Sequence, residues 1–205
     1  MPVLGKSKKE AVTEFRTAEI LEAARKVFAE KGFHDATIDD VAGRAGVAKG
    51  TVYLYYRSKH QLYWAALKHG ILSMNEKTQK KVEAARTLED KLHAFVAMKL
   101  TYFEENRDFF KIYHSEFGNA LFHPAHIRKD FTDLYLRQAR ALEAVLREAV
   151  RRKAIRNIRP NAAAFAVSDL TRGMITQRLL GWSKAAVDDD IAFVFQLVWK
   201  GIAGR

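Results

Sequence analysis

Lys49, Gly50, Thr51 and Tyr53 stand within five positions of one another in the segment "AGVAKGTVYLYYRSK". Each suits contact with a polyanion. A lysine supplies a point charge for phosphate or guanine, and threonine offers a hydroxyl and a methyl able to meet thymine. Glycine lets the backbone come close, and the phenols of Tyr53 and Tyr55 can reach phosphate oxygens. Arg44, Lys49, Arg57, Lys59 and Lys68 all lie in the window from Val41 to Asn75, which holds no Asp or Glu although the chain has 24. A surface that approaches phosphates excludes carboxylates, and this window has none. Other chemistry finds less support. No Gly-x-Ser-x-Gly elbow occurs, and Lys49 precedes Gly50, the reverse of a phosphate-binding loop. His114, His123 and His126 are near in sequence, but Pro124 intervenes, and histidines in an aromatic helical region are usually structural. Cysteine is absent, which excludes disulfides, thiolate metal sites and thiol catalysis. The expectation is a non-enzyme with no metal and no cofactor.

Two short helices must position those residues. Thr37, with Asp40 three residues on, makes a capping-box pattern that opens a helix facing Ile38, Val41, Ala42 and Ala45 inward. Gly46 ends it and Val47 plugs the core beneath the turn. A further helix runs from Ala48 to Tyr56, with Val52 and Tyr56 four apart on its inner face. This is the helix-turn-helix pattern, whose second helix enters the DNA major groove N-terminus first. Before it, Ile20, Leu21, Ala24, Val27 and Phe28 recur at helical spacing between Thr13 and Lys31, with Gly32 as the residue after the cap and Phe33 folding back. After it, Ser58 with Gln61 starts a long helix toward Val82, and Thr87 with Asp90 starts another. Further helices are expected over 107–117, 127–152, 161–182 and 187–201, with breaks at 118–124 and 155–161. The fold expected is all-α. Residues 1–57 form an N-terminal arm and a three-helix DNA-binding domain with a helix-turn-helix, and 58–205 a larger helical ligand-binding and dimerisation domain.

Composition agrees with a packed protein: 205 residues, 48% hydrophobic and 11% aromatic. No uncharged apolar run nears the roughly 18 residues of a membrane span. Met1 to Glu10 has lysines but no apolar core, so no secretory signal is read there, and the expected location is cytoplasmic. The net charge of +11 lies mostly in residues 91–205, with 19 basic and 12 acidic side chains against 11 and 8 in residues 1–60. Charge alone fits a non-specific basic nucleic-acid-binding protein as well as a selective one. Lys6, Lys8 and Lys9 are either an arm gripping DNA or a solvated tail.

The stretch "ILEAARKVFAEKGFHDATIDDVAGRAGVAKGTVYLYYRSKHQL", Ile20 to Leu62, closely resembles the DNA-binding domain of TetR-family transcriptional repressors. The resemblance covers the N-terminal quarter in detail and the remainder in length and helical layout. It implies that Thr37 touches the DNA backbone. It further implies that Lys49, Gly50, Thr51 and Tyr53 meet bases and adjacent phosphates, and that Tyr55 and Lys59 anchor phosphates. Ala48 stands where that family often has serine, Tyr55 where histidine is frequent, Tyr56 where phenylalanine is, and Arg57 where proline or a small residue is.

A unit of this size reads too few base pairs to be selective alone, so a homodimer on double-stranded operator DNA is expected. Apolar residues surround the last helix too fully for one neighbour to hide. The helix before it carries Ala162, Ala163, Ala164, Ala166 and Gly173, small enough for close approach. Candidate interface residues are Phe165, Leu170, Met174, Ile191, Val194, Phe195 and Val198, and the resemblance implies the same two helices. The middle is rich in aromatics. Phe103, Phe110, Tyr113, Phe117, Phe131 and Tyr135 are candidates for enclosing a small apolar effector as a set, although any one of them taken singly fits plain core better. Arg147, Arg151, Arg152, Lys153, Arg156 and Arg159 read as a solvated patch in preference to a site for an anionic effector.

Overall fold

The computed structural model describes residues 8–119 and 125–203, without the side chains of 8–11 and 125–128. Lys6, Phe122, His123 and Pro124 lie outside the described residues, as do the side chains of Lys8, Lys9 and His126.

The described residues form an all-helical fold: α1 (Lys8–Asp35), α2 (Ile38–Ala45), α3 (Lys49–Tyr55), α4 (Lys59–Ala84), α5 (Leu88–Glu105), α6 (Arg107–Asn119), α7 (Ala125–Arg151), α8 (Pro160–Leu179) and α9 (Val187–Ile202). The one β-type contact among them is an isolated bridge between Ile155 and Ala203. No described helix is long and apolar enough to cross a membrane.

Local chemistry sets the helix ends. The Thr37 hydroxyl accepts from the Asp40 N–H at 3.1 Å while the Asp40 carboxylate accepts from the Thr37 N–H at 2.9 Å, closing the expected box. Ser58 caps α4 through the Gln61 N–H at 3.1 Å, and Thr87 caps α5 through the Asp90 N–H at 3.0 Å. Such caps contribute about 1 kcal/mol each. Gly32, at φ 75°, bends α1 out of helical geometry, and Phe33 turns back to stack on Phe28 with centroids 6.2 Å apart. The left-handed region at 32 disfavours any residue with a side chain. The backbone of α1 is already helical at Lys8, five residues before the expected start at Thr13, so of the two alternatives at Lys8 and Lys9 the unstructured tail is corrected.

Two bundles share α4. It packs on α1 on one side and on α5 and α7 on the other. α5 lies at the centre of the larger part, against α4, α7, α8 and α9, with Leu92, Phe95, Leu100 and Phe103 fully buried. α6 bridges back to α1. Where α4 crosses it, Gly70 faces Phe109 so closely that a methyl group at 70 would overlap the ring. Arg178 ties three helices together, donating to Glu104 at 2.7 Å and to the buried Asp190 at 2.6 Å. Asp190, in the first turn of α9, thus also closes a pair between helices.

Candidate nucleic-acid interface

α2 and α3 are joined by a turn in which Gly46 adopts φ 65° and the Val47 N–H donates to the Ala42 carbonyl at 3.0 Å. Val47 packs against the core, as the turn requires. α3 is held from below by Val52 and Tyr56, both buried, and burial pushes the Tyr56 phenol up to about 12, so it stays neutral. The helix therefore presents Lys49, Gly50, Tyr53 and Leu54 outward. Tyr53 is 45% exposed and Leu54 83%. Nothing lies within 4 Å of the position a Cβ would take at Gly50. Thr51 and Tyr55 are half-buried at the edge of the same face, and Thr37 is exposed at the start of α2.

Several of the expected contact groups already have partners within the chain. Lys49 donates to Asp39 at 2.7 Å, which raises the lysine's pKa. Lys59 donates to the carbonyls of His34 and Ala36, both at 2.9 Å, and its ammonium sits 4.8 Å from the Phe33 ring centroid. It therefore fastens the α1–α2 connection, and as a phosphate anchor it would have to share those carbonyls. Arg44 makes a two-pronged pair with Glu30 at 2.6 and 2.7 Å. Lys31 first, then the Thr37 hydroxyl and N–H, hold the Asp40 carboxyl down to about 2.

Two candidates escaped the sequence reading. Asp39 stands two residues before the acid-free window, and only the packing of α2 on α3 brings it to Lys49. Leu54 was legible as the residue one turn after Gly50 on the outer face of α3. Asp39→Asn is expected to release Lys49 and raise affinity for any duplex about fivefold, since exposed pairs of this kind are worth up to about 1 kcal/mol. The salt dependence should steepen by about one phosphate contact. Fluorescence anisotropy across a salt series measures both, and weaker binding would show that Asp39 orients the lysine instead of masking it.

The six aromatic candidates of the middle region form one connected stack. Phe103 meets Phe110 at 5.4 Å between centroids, Phe110 meets Tyr113 at 6.0 Å, Tyr113 meets Phe131 at 5.9 Å, and Phe117 meets Tyr135 at 5.2 Å. Phe103, Phe110, Tyr113 and Phe131 are buried against one another, so in this conformation the stack is filled core. Space lies beside it. One groove of about 250 Å³ runs past Trp64, Leu67, Ile71, Phe131 and Leu134, and another of about 660 Å³ lies between α4 and α7 over Phe95 and Gln138.

The interface candidates divide. Ile191, Val194 and Val198 are buried inside the chain, where α9 packs on α5, and so belong to the chain's own core. Phe195 is half-buried, stacked on Trp199 and edge-on to His93. Phe165 and Met174 are half-buried, while Leu170 is 43% exposed. The outer faces of α8 and α9 carry Ala166, Leu170, Gly173, Phe193 and Leu197.

Residues 20–66 match the family model described as bacterial regulatory proteins, tetR family. The fatty acid metabolism regulator protein of Bacillus subtilis is 32% identical over 74 residues, which are 36% of this chain and 38% of that one. The chain thus spans well under half of that relative's length. Two solved structures share the whole fold. A transcriptional regulator FadR from Bacillus subtilis in complex with stearoyl-CoA superposes with a TM-score of 0.78 at 19% identity, covering 88% of this chain and 96% of that one. A putative transcriptional regulator from Saccharomonospora viridis in complex with choline gives 0.81 at 22% identity, covering 94% and 100%. The matched segment contains α2, the Gly46 turn and α3, so residues 20–66 are similar to the tetR family of bacterial regulatory proteins, and the chain as a whole shares the helical fold of the two solved structures.

Proposed function

We propose that the protein is a homodimeric transcriptional repressor of the cytoplasm that holds a near-palindromic operator and releases it when a small, largely apolar effector binds. The observation that carries this reading is the outward face of α3, where Lys49, Gly50 and Tyr53 stand clear of the core inside the segment that matches the family. Residues up to 57 act as the DNA-binding head, with Thr37, Thr51, Tyr55 and Lys59 flanking the α3 face. Residues 58–205 carry effector and dimer functions. The apolar outer faces of α8 and α9 support pairing, because Leu170, Phe193 and Leu197 would otherwise remain in water. The aromatic stack and its neighbouring grooves support an apolar effector, and relatives of the same fold bind stearoyl-CoA or choline. An effector releases DNA only if it prefers the head spacing that does not fit the operator.

Gel-shift titration at several salt concentrations tests the reading. Operator binding should exceed binding to unrelated duplexes by about 10³ or more. Equal affinity for all duplexes would make the protein a generic basic binder, the second reading its charge allows.

A further inference from the structure

The larger bundle buries charge that it does not neutralise. Lys99 on α5 is 4% exposed, and its ammonium sits over the Phe95 ring, 5.3 Å from the centroid, with no carboxylate in hydrogen-bond reach among the described residues. Facing it from α8 is Arg172, whose guanidinium lies over Phe117 at 3.7 Å and donates to Asp169 at 2.9 Å, leaving its Nε–H without an acceptor. Asp169 also accepts from the Tyr135 hydroxyl at 2.5 Å. Asp169 thus matches Arg172, and within this group of three the charge left over is the positive one of Lys99.

Polar atoms without partners gather on the same helices. The Ser168 hydroxyl, one turn before Arg172, has none, and neither has either end of the Gln138 amide on α7; both side chains are more than nine-tenths buried. Buried polar atoms of this kind cost free energy unless something pairs them, and an uncompensated ammonium costs more. Desolvation pushes the Lys99 ammonium down to about 8, against the pull of Asp169, yet leaves it charged at neutral pH. His114 on α6 is held near 4 by burial and then by Arg172 and Lys99, so it stays neutral and adds no charge. An opening lies close by: the groove between α4 and α7 is lined by Leu72, Val82 and Ala141, by the charged Glu76, Arg137 and Arg140, and by Gln138 and Phe95, whose ring Lys99 covers.

We propose that Lys99, the Nε–H of Arg172, the Ser168 hydroxyl and the Gln138 amide receive the carboxylate head of a monoanionic amphipathic effector whose apolar tail lies in the α4–α7 groove. The inference deepens the effector-responsive reading above and rests on it. A single negative charge matches the single excess positive one. A dianion would overshoot it, and a quaternary ammonium such as choline would be repelled.

Isothermal titration of the full-length protein with dodecanoate, dodecanol and dodecyltrimethylammonium, each below its micelle concentration, varies the head on a constant tail. Dodecanoate should bind at least about tenfold more tightly than the other two, the value of a hydrogen bond to a charged group. Lys99→Met keeps an apolar stem and should erase most of that preference while melting no lower than the wild type. Ser168→Ala, a second route should Lys99→Met not fold, should reduce the preference about fivefold. Equal affinity for the three heads, no binding by any, or a preference that survives in folded Lys99→Met overturns the proposal. A gel shift of the wild-type protein without amphiphile separates the two readings. A chain that shifts its operator but ignores the head group loses this inference alone, whereas one that selects the carboxylate but shifts no operator loses the regulator reading alone.

Discussion

Gly50→Glu should fold normally and lose operator binding by at least about a hundredfold. The position tolerates a side chain structurally: it is exposed, helical, and has nothing within 4 Å of where a Cβ would sit. Any loss therefore belongs to what α3 approaches. A carboxylate there would stand beside Lys49 and Tyr53 and face phosphates, and like charges brought together at an interface cost several kcal/mol, each 1.4 kcal/mol being about tenfold. Gly50→Ala is the control, since it shares the backbone change without the charge. Circular dichroism melting should show all three proteins alike, and gel shift should separate Glu from the other two. Binding by Gly50→Glu within threefold of wild type would move the DNA contact away from α3.

The second large effect concerns assembly. Phe193 and Leu197 lie on the outer face of α9, 59% and 52% exposed, opposite Ile191, Val194 and Val198. Replacing both with Asp should weaken the dimer by about a thousandfold or more, because each carboxylate buried without a partner costs several kcal/mol. Sedimentation at micromolar concentration should then find monomers that are still folded. Ile191→Asp provides the contrast: as a core position it should lower the melting temperature sharply instead. A Phe193→Asp, Leu197→Asp protein that sediments as an intact dimer would place the interface off α9.

What could be read from the sequence was what is decided within about four residues. The three caps at Thr37, Ser58 and Thr87, the glycine turns at 32 and 46, and the stripe from Ile20 to Phe28 depend on spacing along one helix or across one turn, and each is present. The start of α1 was missed because its early apolar side chains, Val12 and Phe15, are 58% and 66% exposed and make no stripe toward the core. Long-range partners were illegible. The Asp39–Lys49 pair, the carbonyls that hold Lys59, and the burial of Lys99 each depend on which helices cross, and no local pattern encodes that. For the same reason α9, apolar on nearly every side, did not declare which face belongs to α5. Periodicity gives the angle between side chains, not the identity of the neighbour.

Gly70 carries a mechanical consequence. With no side chain between the α4 backbone and the Phe109 ring, a shift of that ring cannot be absorbed by a rotamer change at position 70. The rod itself must translate or tilt. Because that rod begins at Lys59, with three residues between it and the end of α3, such a tilt would reach the head as rigid leverage.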